Sequence, residues 1–426
     1  MIGARANRRQ FLKSVAAGVA AASVPCPSIA QGAAARVVVI GGGFGGATCA
    51  RALRTAEPRM AVTLVEAHAT YTAPPLSNAA VAGIYPLSHQ QFGYGGIAKA
   101  GVTVALAEAT AVDPVKRSVI LSDGARLSYD RLVLSPGIDI RWGTIAGYDR
   151  AAAEVFPHAW NDGAQVALLH RQLTAMEDGG SVVITAPVNP ARCPPAPYER
   201  ASLIAHYLKT RKPKSKVIVL DAKDGFAMQR LFQAAWQELY PGMIEWVPLS
   251  NGGQLTAVDV ASRTLVTDFE RYKASVASVI PPQKAGHAAE LAGVADRTGW
   301  CPVDPTTFES KLQPGIHVVG DAAIAGAMPR SASAAQSQGR ICAEAIIQLF
   351  AGRKPQPPTL RSSCYSLLAP DYAISQRGTY RPVDGLYTEA EGGVVISPLN
   401  TERARRQAEA REAEAWYRTI TGEVFG

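Results

Sequence analysis

The sequence predicts an α/β protein built from two successive strand–helix–strand units, with a small C-terminal α+β domain appended. Three observations carry that prediction. The β-branched run Arg36-Val37-Val38-Val39-Ile40 leads into a glycine-rich turn and a helical stretch. A second apolar run, Val182 to Ala186, leads into a stretch from Tyr198 to Lys209 with Leu203, Ile204, Tyr207 and Leu208 at helical spacing. The proline-rich linker Gly352 to Pro358 then sets off a tail, Thr359 to Gly426.

Ahead of the first strand, Asn7-Arg8-Arg9-Gln10-Phe11-Leu12-Lys13 precedes a short apolar run, Ser14 to Val24, and the small-residue site Ser28-Ile29-Ala30. This pattern predicts a twin-arginine signal over residues 1–30 and export of a folded protein to the periplasm. An ordinary secretory signal or a membrane anchor is the alternative, but the run is short and rich in Ala and Gly for a span. Removing Arg5, Arg8, Arg9 and Lys13, with no acids, lowers the formal charge from +8 to +4. No nucleic-acid partner, metal site or later membrane span is expected. Cys26 leaves with the signal, so five cysteines remain of six, and an odd number implies at least one free thiol.

In the first unit, Gly41, Gly43 and Gly46 fit G-x-G-x-x-G, with Phe44 inside the loop. Glu66 ends the next strand 25 residues past Gly41, near the spacing of a ribose-binding carboxylate. Further on, Tyr129 to Gly137, with Ser135 and Gly137 in its turn, resembles the strand closing the FAD domain of two-dinucleotide flavoproteins. Gly315 to Ala322 resembles their second flavin motif, in which Gly320 permits close approach and Asp321 meets the ribityl chain. That resemblance implies FAD at the first site. It divides the chain into an FAD domain over 35–150 and 301–350, an inserted degenerate NAD-like domain over 151–300, and the C-terminal domain over 359–426. A hairpin-like stretch is expected near Ala107 to Leu127, and a closing helix over Gln336 to Phe350.

The turn of the second unit is different. A pyrophosphate cradle uses bare backbone N–H groups, whereas Arg192-Cys193-Pro194-Pro195-Ala196-Pro197-Tyr198-Glu199-Arg200 has no glycine. Pro190, Pro194, Pro195 and Pro197 remove four donors. The site is not expected to hold NAD, and Cys193 points to thiol chemistry. Cys49 and Cys342, on helices, are expected to fill packing space. Cys193, Cys301 and Cys364 lie in polar or turn-rich segments. The final helix, Thr401 to Ile420, mixes Arg403, Arg405, Arg406 and Arg411 with Glu402, Glu409, Glu412 and Glu414, and reads as solvated or partner-facing.

Arg192 to Arg200, Gly299 to Asp304 and Cys364 to Tyr372 together resemble the flavoprotein subunit of flavocytochrome c sulfide dehydrogenase and the related flavoprotein of the bacterial sulfur-oxidising pathway. The likeness runs from about residue 35 to Gly426. It implies a redox-active Cys193–Cys364 disulfide beside the flavin, with Cys301 as a competing partner for Cys193. It also implies Glu199 as acid/base, although a carboxylate balancing a helix N-terminus is an equal reading of that residue. Ser77 and Asn78 fall in a flavin-contacting stretch, Tyr71 to Asn78, where the family usually carries a flavin-linking cysteine. Here there is none, so FAD is expected to be non-covalent.

The implied reaction is oxidation of hydrogen sulfide to zero-valent sulfur. HS⁻ attacks the disulfide at Cys193, leaving a persulfide there and a thiolate on Cys364, and electrons pass through the flavin to a c-type cytochrome partner. A nearby helix N-terminus is expected to favour the thiolate. Alternatives are a sulfide:quinone oxidoreductase-like enzyme, a type II NADH dehydrogenase, and an accessory flavoprotein that reactivates a sulfur-oxidising complex.

Overall fold

In a computed structural model the described residues are 34–161 and 163–426. The expected export signal and Cys26 lie outside them. Strand β1 (Arg36–Ile40) runs through the glycine turn into α1 (Phe44–Ala56), followed by β2 (Ala61–Glu66), β3 (Thr103–Leu106) and β4 (Arg131–Leu134). An antiparallel sheet of Ala109–Asp113, Ser118–Leu121 and Arg126–Ser128 fills the expected hairpin region.

The second unit repeats the plan with β5 (Ser181–Ala186), α2 (Ala196–Arg211), β6 (Lys216–Asp221), β7 (Ile244–Val247) and β8 (Val276–Ser278). These strands form a parallel sheet in the order β7-β6-β5-β8. The chain then returns: β9 (Ile316–Val318) completes the first sheet, ordered β9-β4-β1-β2-β3 and parallel throughout. Its strands are covered on both faces, which is why Val37, Val39, Leu64, Leu132, Leu134, Ile316 and Val318 are all buried instead of alternating with polar residues.

Helix α3 (Ala332–Phe350) starts at Ser331, whose hydroxyl accepts from Ala334 N–H at 3.3 Å, and packs along α1. Residues beyond the linker form an antiparallel sheet, β10 (Leu360–Ala369), β11 (Tyr372–Val383) and β12 (Leu386–Ile396), and then α4 (Arg403–Phe425). Residues 35–426 make up one unit, with β10 packed on both α2 and α3.

The structure corrects the reading of the last helix. Although α4 is charged, it buries Arg406 and Glu409 against each other at 3.0 Å, together with Tyr417, Ile420, Val424 and Phe425. Glu409 also accepts from Ser375 and Ser397 of the adjoining sheet. Two opposite charges three residues apart on one face neutralise and hydrogen-bond each other, so the helix is a structural brace with one solvated side.

Candidate active site

A cavity of about 870 Å³ is lined by every residue expected to bind or react except Gly46. Gly41, Gly43, Phe44, Glu66, Ser77, Asn78, Ser135, Gly137, Cys193, Glu199, Gly320, Asp321 and Cys364 all reach its wall. Gly41 takes φ +98°, and a Cβ there would lie 2.3 Å from the Ser135 carbonyl oxygen. At Gly46 a Cβ would lie 2.0 Å from the Gly41 carbonyl oxygen, so this glycine works behind the wall, letting α1 approach β1. Helix α1 has no side-chain cap and no acid in its first turn, which leaves its N-terminal N–H groups to the cavity. Glu66 ends β2 and accepts from Gly42 N–H at 2.7 Å.

The same wall contains a polar group that the protein itself leaves unmatched. Asp321 Oδ1 is buried without a hydrogen-bond partner. Burial pushes the Asp321 carboxyl up, against the pull of Arg192 and Arg330. A glycine cradle at a helix N-terminus, a strand-end carboxylate at Glu66 and an unmatched carboxylate oxygen at Asp321 fit the phosphates, ribose and ribityl hydroxyls of FAD. In the stretch from Tyr71 to Asn78, buried Ala73 stands where a linking cysteine would be sought.

Cys193 sits in a strained turn with φ +48°; its N–H donates to the Arg330 carbonyl at 2.8 Å and its carbonyl accepts from Ala196 N–H at 2.9 Å. Cys364 lies in the middle of β10, opposite Gln376 of β11. Both are unbonded thiols, packed deep in the protein yet presenting part of their surface to the cavity. Desolvation raises both, with Cys364 pushed up to about 11. The start of α2 three residues after Cys193 therefore does not turn that sulfur into a thiolate in this state; burial outweighs the helix dipole. Cys301 is buried on a short strand pairing with Ala323, does not line the cavity, and is pushed up to about 12 by burial. Cys49 and Cys342 are fully buried on α1 and α3.

Glu199 is in the first turn of α2, but it is tied to other elements. One oxygen accepts from Leu367 N–H of β10 at 2.7 Å, and the other from the Asn78 side-chain amide at 2.7 Å. Burial raises its carboxyl to about 7, against the lowering effects of those two hydrogen bonds and of Arg200. A carboxylic acid titrating near neutrality beside two thiols is suited to moving protons.

Two features were missed in the sequence. Arg200 is buried and donates to the Asn78 side-chain oxygen at 3.0 Å, to the carbonyls of His158 and Ala159, and to Ser278 Oγ at 2.6 Å, beneath the Trp160 ring. In the second unit, the strand-end carboxylate of Asp221 is already occupied: Tyr198 donates at 2.6 Å, Lys223 at 2.7 Å and Trp246 at 3.0 Å. The Tyr198 ring stacks on Phe226 with centroids 3.6 Å apart. The only advance signal for this lock was a tyrosine in the proline-rich turn and an acid at the end of β6.

Three family profiles match the chain. "Pyridine nucleotide-disulphide oxidoreductase" covers residues 35–173. "Sulfide dehydrogenase (flavocytochrome c) flavoprotein chain, central" covers 166–281, and "Flavocytochrome c sulphide dehydrogenase, flavin-binding" covers 356–425. The sulfide dehydrogenase (flavocytochrome c) flavoprotein chain of Chlorobaculum thiosulfatiphilum is 54% identical over 44 residues, which are 10% of this chain and 92% of that sequence. The mitochondrial sulfide:quinone oxidoreductase of Mus musculus is 24% identical over 299 residues, covering 67% of this chain and 65% of that protein. In fold, the sulfide:quinone oxidoreductase of Aquifex aeolicus superposes with a TM-score of 0.72 at 17% identity, over 92% of each chain. Putidaredoxin reductase, in its covalent complex with putidaredoxin, gives 0.65 at 18% identity over 88% of this chain and 93% of its own. These matches and the FAD-shaped wall lead to one assignment: the chain is an FAD-binding member of the family of the flavoprotein chain of flavocytochrome c sulfide dehydrogenase.

Proposed function

We propose that the chain oxidises hydrogen sulfide to zero-valent sulfur at Cys193 and Cys364 and delivers the electrons, through non-covalent FAD, to a c-type cytochrome. The observation that carries this reading is that both thiols and the near-neutral Glu199 share one cavity with the glycine cradle.

Bound FAD supplies a two-electron acceptor that can release electrons one at a time. The thiols do the sulfur chemistry. In the oxidised pair, HS⁻ attacks the Cys193 sulfur; the Cys193–Cys364 bond breaks, a persulfide remains on Cys193 and Cys364 leaves as a thiolate. When Cys364 closes again on Cys193, the outer sulfur leaves as zero-valent sulfur with the release of one proton and two electrons, for which bound FAD would be the acceptor. Glu199 takes that proton, and its buried carboxyl is the acid/base of the cycle. Burial makes the departing Cys364 thiolate a strong base, so a neighbouring proton carrier has a task at that step.

Export of the folded protein to the periplasm through a twin-arginine signal completes the proposal, supported by Arg8-Arg9 and the apolar run after it. A second reading, a sulfide:quinone oxidoreductase-like enzyme, is favoured by the likeness to the mouse and Aquifex proteins. Among the described residues no helix is long and apolar enough to cross a membrane. The test is anaerobic titration of the flavin spectrum with sulfide, followed by addition of cytochrome c or of a short-chain quinone. Bleaching and reoxidation by cytochrome c is the expected result. Reoxidation by quinone alone would select the second reading, and no bleaching would leave an accessory role.

A further inference from the structure

We propose that Asn78 and Arg200 are positioning residues that turn the exchangeable proton of Glu199 out of the protein wall and into the thiol cavity; this rests on, and deepens, the sulfide-oxidising reading.

The argument follows the direction of each hydrogen bond. A guanidinium has donors only. Arg200 Nε therefore fixes the partner atom of Asn78, 3.0 Å away, as the carbonyl oxygen. The amide nitrogen of Asn78 then has to face the other way, where it meets two acceptors, the Ala196 carbonyl at 3.0 Å and Glu199 Oε2 at 2.7 Å. A flipped amide would set donor against donor at Arg200 and acceptor against acceptor at Ala196, so the network allows one orientation. Glu199 Oε2 must accept. Oε1 must also accept, because Leu367 presents a backbone N–H at 2.7 Å.

Both carboxyl oxygens thus receive a donor from the protein. A proton arriving on Glu199 has to take a remaining lone pair, away from Asn78 and Leu367. Glu199 borders the cavity, as do Cys193 and Cys364, and the charge on Glu199 bears on both sulfurs. Without Asn78, Oε2 would lose its donor, and a proton could occupy the side of the carboxyl that Asn78 now holds.

Arg200 is itself held firmly enough to dictate this. It is fully buried on α2, and its remaining nitrogens meet the His158 carbonyl at 2.8 Å, the Ala159 carbonyl at 2.6 Å and Ser278 Oγ at 2.6 Å. The charged and titratable groups around Glu199 are Arg200 on the same helix, Cys193 in the turn before it and Cys364 on β10. Arg192 and Asp321 act on the thiols from the preceding turn and from the segment after β9. The hydrogen bond from Asn78 lowers the proton affinity of Glu199, so its removal should raise it.

The test uses the full chain loaded with FAD and the variants Asn78→Ala, Asn78→Asp and the milder Asn78→Ser. Two quantities are followed against pH. One is the protonated-carboxyl infrared band of Glu199 without sulfide, assigned by its loss in Glu199→Gln. The other is the rate of flavin reduction by sulfide. In the wild type both should turn over near neutrality. In Asn78→Ala the midpoint should move alkaline by about one to two pH units, the scale of one charge-assisted hydrogen bond. Asn78→Asp should move it further, because a second carboxylate faces Oε2, and Asn78→Ser should move it less in the same direction. An infrared midpoint unchanged in folded Asn78→Ser and Asn78→Ala would overturn the proposal. If the infrared titration shifts as expected but sulfide never reduces the wild-type flavin, the positioning role stands and the sulfide reading falls.

Discussion

Replacing each cavity thiol and the buried competitor by serine should separate rate from stability. Cys193 and Cys364 present surface to the cavity, where a serine hydroxyl can find water or a polar neighbour. Either replacement should leave folding and FAD content close to wild type, within about 1 kcal/mol. Cys301 is fully buried between Trp300 and the strand pair with Ala323, so a hydroxyl there loses solvation without an assured partner. That should cost about 1–3 kcal/mol. Rates should follow the opposite order. Without either cavity sulfur the covalent path is lost, and sulfide-dependent bleaching should fall at least about a thousandfold, equivalent to about 4 kcal/mol in the barrier. Cys301→Ser should keep its rate. Stopped-flow bleaching under anaerobic sulfide, beside denaturant unfolding followed by flavin fluorescence, reads both quantities. If Cys301→Ser abolishes bleaching while Cys364→Ser does not, the Cys193–Cys364 assignment is wrong. If none of the three changes the rate, thiol-mediated oxidation is wrong altogether.

Acid precipitation should release all the FAD into the supernatant, since residues 71–78 hold no cysteine; yellow colour in the washed pellet would refute this. NADH should not bleach the flavin at sub-millimolar concentration, because Asp221 is engaged by Tyr198, Lys223 and Trp246; saturable bleaching would overturn that reading. Glu199 also links stability to pH. Its folded value of about 7 lies above the ordinary 4.5, so the folded state holds the extra proton between those values. Its contribution is complete below about pH 4.5 and is lost as pH rises through 7, and Glu199→Gln should flatten that part of the stability profile; an unchanged slope would show that the carboxyl is not raised.

The strands and glycine turn were legible because their signals are local. Arg36 to Ile40 appears as a strand over the residues its β-branched run marks, and Val182 to Ala186 lies within β5. Helix α1 starts at Phe44, inside the glycine motif, because glycines at a helix N-terminus leave its first N–H groups open. The connections that give the site its chemistry were not legible. Asn78 meets Glu199 across 121 positions and Glu199 meets Leu367 across 168, and no spacing rule spans such distances. Nor does composition reveal that Arg200 is buried: an arginine on an early helical turn reads as solvated until four acceptors and a tryptophan ring are seen around it. The same limit explains α4, where Arg406 and Glu409 look like surface charges until their pairing is visible.

The Tyr198 lock ties two architectural choices together. Tyr198, which engages the strand-end carboxylate of Asp221, is the immediate neighbour of Glu199 on α2, and its hydroxyl anchors that helix to the end of β6. Freeing the Asp221 carboxylate would mean removing the Tyr198 hydroxyl, and with it the fastening that holds the start of α2, and so the Cys193 turn and Glu199, to β6. An open strand-end carboxylate and a fastened thiol mount thus compete for one side chain.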